Sequence, residues 1–123
     1  MNLNQITIPS LNVEASISFY KKIGLQLIVQ ALPNYARFEC PDGDATFSIH
    51  EVAGLPSGPG VIVYFECADL DTCVEDLLGQ GVVFDELPND KPWLWREARL
   101  KDPDNNQIVL YYAGKNRKNP PWR

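Results

Sequence analysis

An internal repeat with an offset of 57 residues constrains the fold more than any other feature of this chain. Residues 6–13 read ITIPSLNV, and residues 63–70 read VYFECADL. Each stretch starts as a short alternating strand and reaches an Asx residue, Asn12 or Asp69, that can accept a backbone N–H at the start of a helix. Because similarity at a fixed spacing is typical of repeated supersecondary units, we predict two copies of one unit.

Each Asx residue precedes a predicted amphipathic helix. The apolar residues fall at positions i, i+4 and i+7, which gives one apolar stripe per helix to pack on a sheet. These residues are Val13, Ile17 and Tyr20 in the first copy and Leu70, Val74 and Leu77 in the second. Both helices are predicted to end at a glycine, Gly24 or Gly81, and an apolar extended stretch follows at residues 25–29 and 82–84.

The second half of each copy contains two further predicted strands around a Pro-Asp turn. The first copy has strands at residues 36–39 and 46–50, and the second has strands at residues 95–101 and 107–112. Residues 30–35 and 86–93 are expected to be loops. The chain therefore divides into module one at about residues 3–52, a Gly- and Pro-rich linker at 53–60, module two at about 61–112, and a tail at 113–123. Each module reads βαβββ, which places the single domain in the α+β class.

Composition excludes two classes of partner. The formal net charge of −5 argues against a nucleic-acid binder, which needs a basic surface to neutralise phosphates. No stretch of about 18 apolar residues is present, so no membrane partner is expected.

Cys40, Cys67 and Cys73 form no CxxC pair, and with no secretory signal visible we expect reduced thiols and a cytoplasmic protein.

Four segments carry a resemblance to a known family. They read QITIP at residues 5–9, FYKKIG at 19–24, VYFECADLD at 63–71 and DPDNN at 102–106. The pattern resembles the vicinal oxygen chelate superfamily, which includes glyoxalase I, bleomycin-resistance proteins, fosfomycin-resistance enzymes and extradiol dioxygenases. The resemblance covers about residues 3–112. It implies that the two βαβββ modules form a curved mixed sheet with helices on the outer face and a central cavity, and that the chain forms a homodimer.

Enzymes of the superfamily hold a divalent metal through four His, Glu or Gln side chains, two from each module. In this sequence the four positions fall on Gln5, on Ser48 with His50 nearby, on Ile62 and on Val109. Two of these side chains are hydrocarbon, whereas a divalent cation needs lone pairs from His, carboxylate or other oxygen donors. We therefore predict no metal and no other cofactor.

Strand parity predicts which side chains face the cavity, because successive side chains on a strand point to opposite faces. The resulting set mixes aromatic and polar groups, as sites for organic ligands do. The predicted ligand-binding residues are Gln5, Thr7, Ser48, His50, Tyr64, Glu66, Trp95, Glu97, Arg99 and Tyr111. His50, Glu66 and Glu97 are the candidates for catalysis. The structural alternative for His50 is a hydrogen-bonded residue at a strand end near the surface, and for the two glutamates it is pairing with Arg99 or Arg37, or solvent exposure.

Three functional hypotheses follow. The first is a metal-free protein that binds a small organic molecule in the cavity. The second is a metal-dependent lyase or dioxygenase of the same superfamily with a displaced metal site built from Gln5, His50, Glu66 and Glu97. The third is a non-enzymatic dimeric interaction module.

The C-terminal Trp122 is expected to dock on the domain or on a partner subunit, since an isolated indole is poorly accommodated in water.

Overall fold

The computed structural model describes all 123 residues and contains two compact units. Unit 1 comprises residues 1–60 together with 102–106, and unit 2 comprises residues 61–101 and 107–123. In unit 1 the elements are β1 (Gln5–Ser10), α1 (Val13–Lys22), β2 (Gln26–Ala31), β3 (Tyr35–Glu39) and β4 (Thr46–Glu51). In unit 2 they are β5 (Ile62–Glu66), α2 (Leu70–Gly79), β6 (Glu86–Asp90), β7 (Arg96–Lys101), β8 (Gln107–Tyr112) and a short 3₁₀ helix (Gly114–Arg117). The predicted α+β class and the repeated βαβββ order are confirmed.

The eight strands form two four-stranded mixed sheets with the same topology. The strand orders are β1-β4-β3-β2 and β5-β8-β7-β6, and no strand pair links one sheet to the other. In each sheet the first and last strands of the repeat are parallel and the remaining pairs are antiparallel. The two copies therefore agree in strand pairing as well as in element order.

The helices start and pack as the sequence pattern predicts. The side chain of Asn12 accepts the amide of Ala15 at 3.1 Å, and Asp69 accepts the amide of Thr72 at 3.3 Å. The predicted stripes are the buried faces of α1 and α2. In unit 1 the buried ring of Tyr20 packs on Phe47, with 4.5 Å between ring centroids, which makes an aromatic core between α1 and its sheet. Neither helix is long and apolar enough to cross a membrane.

The second strand of unit 2 is not where the sequence pattern placed it. Residues 82–84 form no strand, and β6 lies at Glu86–Asp90, inside the predicted loop. The sequence of β6, ELPND, has no apolar alternation, and its ladder with β7 shifts register between Glu86 and Asn89, around Pro88. Backbone pairing with β7 defines this edge strand. Proline has no N–H to donate to a ladder, and it is tolerated here because a bulge on an edge strand does not require that donor.

The Pro-Asp turn at residues 102–106 belongs to unit 1 and is fastened there by side chains. Asp104 accepts the backbone amide of Leu11 at 2.8 Å and the hydroxyl of Ser16 at 3.1 Å. Asn106 donates to the carbonyl of Pro9 at 3.0 Å. These bonds attach the turn to the end of β1 and to the first turns of α1.

Candidate functional site

One face of the unit 2 sheet carries an aromatic cluster, defined here as Tyr64, Trp95 and Tyr111. Trp95 stacks on Tyr111 with ring centroids 4.7 Å apart and an interplanar angle of 23°. Tyr64 lies edge-on to both rings, at 6.0 Å from Trp95 and 5.5 Å from Tyr111. Tyr111 is buried, whereas 42% of Tyr64 is exposed, so the cluster has a solvent-facing side. The structure therefore brings these three predicted residues together.

Glu97 is a buried carboxylate on the same face, next to Tyr111 in the strand register. One carboxylate oxygen accepts the indole N–H of Trp93 at 2.6 Å, and the other accepts Nη2 of Arg99 at 2.9 Å. Burial would lower the pKa of Arg99, but the hydrogen bond to Glu97 and the Glu97 charge outweigh it and raise the pKa. Arg99 therefore stays protonated, and the charge on Glu97 is compensated inside the protein.

Glu66, at the end of β5, accepts hydrogen bonds from backbone amides of the tail. Its Oε2 accepts the amides of Ala113 at 2.8 Å and Gly114 at 3.0 Å. The tail also meets the aromatic cluster, since the indole N–H of Trp95 donates to the carbonyl of Asn116 at 3.4 Å. Burial and the Glu66 charge raise the pKa of Tyr111 against the opposing charge of Arg117, so its phenol stays neutral at physiological pH.

The face of the unit 1 sheet that was predicted to line the cavity is polar. Gln5 donates from Nε2 to Ser48 Oγ at 2.5 Å and to Thr7 Oγ1 at 3.3 Å, so three predicted residues are in contact. Ser48 is fully buried. His50 is exposed at the end of β4, opposite Tyr35 of β3 in the strand register.

Two residues of the unit 1 face, Tyr35 and Arg37, were not predicted as site residues from the sequence. Tyr35 and Arg37 lie on β3 beside Ser48, and Trp93 lies in the turn before β7. Alternation along β3 could have found both, because the apolar Ala36 and Phe38 alternate with them and mark the opposite, buried face. Trp93, two residues before Trp95, reaches the unit 2 face through its hydrogen bond to Glu97.

The residues that the family resemblance assigns to the metal positions offer few donors for a metal ion. In unit 1 the amide of Gln5 is occupied by Ser48 and by the hydroxyl of Thr46. In unit 2 the corresponding residues are Ile62 and the fully buried Val109, which offer no lone pair. No group of three or more His, Cys, Asp or Glu side chains lies close enough together to hold a metal ion.

Trp122 of the tail donates from its indole N–H to the carbonyl of Trp93 at 3.3 Å. Its side chain nevertheless stays 62% exposed, so the tail contacts unit 2 without burying this ring.

Comparison with known proteins identifies the family. Residues 2–110 match the family model described as Glyoxalase/Bleomycin resistance protein/Dioxygenase superfamily. The chain is 37% identical over 51 residues to the uncharacterized protein YraH of Bacillus subtilis (strain 168), a match that spans 41% of this chain and only 40% of that protein.

Two solved structures show the same fold. A glyoxalase/bleomycin resistance protein/dioxygenase from Nocardioides superposes with a TM-score of 0.77 and 24% identity, covering 98% of this chain and 87% of the other. The bleomycin resistance determinant encoded on the transposon Tn5 superposes with a TM-score of 0.75 and 16% identity, covering 91% and 98%. With its repeated βαβββ units and its match over residues 2–110, the chain belongs to the glyoxalase/bleomycin resistance protein/dioxygenase superfamily.

Proposed function

We propose that this protein binds a planar, partly aromatic organic molecule on the aromatic cluster of unit 2, without a divalent metal. The observation that carries the proposal is the stack of Trp95 on Tyr111 beside the half-exposed ring of Tyr64. Aromatic side chains favour offset or edge-to-face contacts with a further ring, so the solvent-facing side of this cluster can accept one. Sequestration of a toxic compound is the role that such binding fits.

The polar groups beside the aromatic cluster would orient the bound ligand. Trp93 and Arg99 hold Glu97 in one position, so a buried carboxylate and a half-buried guanidinium border the rings. Sites for organic ligands combine apolar walls with a few fixed polar groups in this way. The fold is shared with the Tn5 protein, whose name describes a bleomycin resistance determinant, and bleomycin is therefore one probe to use.

Binding is measured as quenching of tryptophan fluorescence in the full chain, titrated with bleomycin and, separately, with anilinonaphthalene sulfonate. We expect saturable quenching by at least one probe, weakened about tenfold in Tyr64→Ala, since one aromatic contact contributes about 0.5–1.5 kcal/mol beyond area burial. Tyr112→Ala is the matched control, because Tyr112 is equally exposed but lies on the other face of β8. Equal weakening by both variants would contradict the proposed site.

The metal-free part of the proposal rests on the hydrocarbon side chains of Ile62 and Val109. Calorimetry of the chelator-treated protein with Zn²⁺, Ni²⁺, Mn²⁺ and Fe²⁺ tests it directly. We expect no tight stoichiometric binding of any of these ions. One tight site per chain would overturn this part and favour the displaced metal site of a lyase or dioxygenase, and loss of that site in His50→Ala would assign it.

We further infer a cytoplasmic homodimer. Support comes from the free thiols of the three cysteines and from exposed apolar side chains on and after the edge strand β2, namely Ile28, Val29 and Leu32. Light scattering on the purified chain measures the molar mass, and a monomer at all concentrations would exclude the dimer.

A further inference from the structure

A continuous hydrogen-bond chain crosses three strands of the unit 1 sheet. Gln5 Nε2 donates to Ser48 Oγ at 2.5 Å, Ser48 Oγ lies 2.6 Å from the hydroxyl of Tyr35, and Arg37 Nε donates to that hydroxyl at 2.9 Å. The four side chains come from β1, β4 and β3. No part of the proposed ligand site in unit 2 uses them.

The positions of the protons follow from what each oxygen can accept. Ser48 is fully buried, and its Oγ has only Gln5 and Tyr35 as partners, of which Gln5 is a donor. The serine proton must therefore go to Tyr35, because a buried hydroxyl proton without an acceptor is costly. The oxygen of Tyr35 then accepts from Ser48 and from Arg37, which leaves its own proton directed out of the chain, on a half-exposed side chain.

Arg37 brings an uncompensated positive charge to the same place. It is exposed, its Nε makes its one hydrogen bond within the protein, its Cζ lies 5.4 Å from the centroid of the Tyr35 ring, and it forms no salt bridge. In contrast, Arg96 is paired with Asp71 and Asp90, and Arg99 with Glu97 and Glu86. The terminal nitrogens of Arg37 form a planar fork beside a phenol that has a proton to donate, which is the geometry that binds carboxylate or phosphate oxygens.

We propose that Tyr35 and Arg37, positioned by Ser48 and Gln5, form an oxyanion-binding site on unit 1. The ligand is the carboxylate or phosphate group of a small molecule, bound by the guanidinium fork and by the outward phenol proton. The buried Ser48 gives the site its rigidity, because its Oγ lies 2.6 Å from the phenol oxygen and is itself held by Gln5 at 2.5 Å. All four side chains belong to unit 1, and none of them carries the proposed ligand site on unit 2.

Nuclear magnetic resonance of the full-length, ¹⁵N-labelled protein tests the proposal, with sodium benzoate and inorganic phosphate as probes at matched ionic strength. We expect a saturable shift of the β3 and β4 amides with at least one probe, and the stronger of the two identifies carboxylate or phosphate as the preferred group. Arg37→Gln and Tyr35→Phe should each weaken binding about tenfold or more, which is the fold-change expected for loss of one charge-assisted hydrogen bond.

Two further variants keep the test decisive. Lys22→Gln removes one exposed positive charge from α1 of the same unit and should leave binding within about twofold of the parent protein, since screening weakens distant surface charges. Arg37→Lys keeps the charge but removes the planar fork, and it should weaken binding more than Lys22→Gln does. The proposal is overturned if neither probe gives a saturable shift, or if Arg37→Gln and Lys22→Gln have the same effect. The dye titration is scored by Tyr64→Ala, whereas this test is scored by Arg37→Gln and Tyr35→Phe, so the failure of one proposal is distinguishable from the failure of the other.

Discussion

The hydroxyl of Tyr20 donates a 2.6 Å hydrogen bond to Oδ2 of Asp102, and both side chains are buried. The other oxygen of Asp102 accepts the amides of Asp104 and Asn106, each at 2.9 Å. One aspartate therefore shapes the Pro-Asp turn and also attaches it to α1. This contact joins the FYKKIG and DPDNN segments, since the first supplies the phenol and the second its acceptor.

The buried Tyr20–Asp102 hydrogen bond should make the stability of the protein fall at alkaline pH. Burial, followed by the charge of Asp102, raises the pKa of Tyr20 far above its ordinary value, so the folded phenol stays protonated where the unfolded phenol ionises, above about pH 10. The unfolded state then binds fewer protons, and stability falls as pH rises past about 10. Urea titrations from pH 7 to 11 should show a smaller fall for Tyr20→Phe, which should also lose about 1–2 kcal/mol at pH 7. An unchanged alkaline slope in Tyr20→Phe would contradict this account.

The repeat, both helices and the family follow from the sequence because their signals are local. The helix caps at Asn12 and Asp69 depend on a side chain and an amide three residues away, and the apolar stripes need only the helical period. Strand parity also placed Tyr64, Trp95 and Tyr111 on one face, where the structure has them stacked. Local patterns were sufficient for these features.

The remaining features depend on pairing between distant segments. Strand β6 has no apolar alternation of its own and exists because β7 pairs with it. The sequence shows that Glu66 and Glu97 share a face, but not that one holds the amides of the tail while the other is held by Trp93 and Arg99. Which groups bind each glutamate depends on the geometry of the tail and of the turn before β7, and composition and periodicity do not determine that geometry.

Arg99 should matter more for stability than its partial exposure suggests. Removing it in Arg99→Met would leave the carboxylate of Glu97, which is 1% exposed, with only the indole of Trp93. We expect a loss of about 2–3 kcal/mol in the free energy of unfolding, below the range for a fully buried pair because Arg99 is half-buried. Lys101→Met is the matched control, since its pair with Asp85 is exposed and should contribute less than about 1 kcal/mol. Equal losses in urea denaturation would show that Glu97 is solvated.

Glu66 should hold the tail in place. In Glu66→Ala the amides of Ala113 and Gly114 lose their acceptor, so both should exchange hydrogen with solvent at least tenfold faster, and the chain should lose about 1–2 kcal/mol. Hydrogen exchange followed by NMR measures the two amides individually. Glu75→Ala, an exposed change on α2, is the control and should alter neither amide. Unaltered exchange in Glu66→Ala would mean that the carboxylate does not hold the tail in solution.

Tyr35 should ionise at a lower pH than an ordinary tyrosine. Burial opposes its ionisation, but hydrogen bonds from Ser48 and Arg37 and the Arg37 charge outweigh burial and lower the pKa of the phenol. A titration of the protein with ¹³C-labelled tyrosine rings, with the Tyr35 signal identified by its loss in Tyr35→Phe, should therefore show Tyr35 ionising below about pH 10 and before Tyr111, whose pKa is raised.

Arg37 can be substituted without creating a cavity in the core, because its side chain is exposed. Arg37→Gln deletes the charge and should raise the pKa of Tyr35, whereas Lys22→Gln deletes an equal charge from α1 and should leave that pKa within a few tenths of a unit. If Tyr35 ionises together with Tyr111, or if both variants shift it equally, then Arg37 does not act on the phenol through the 2.9 Å contact. A selective effect of Arg37 would instead establish the charged, proton-donating pair that oxyanion binding requires.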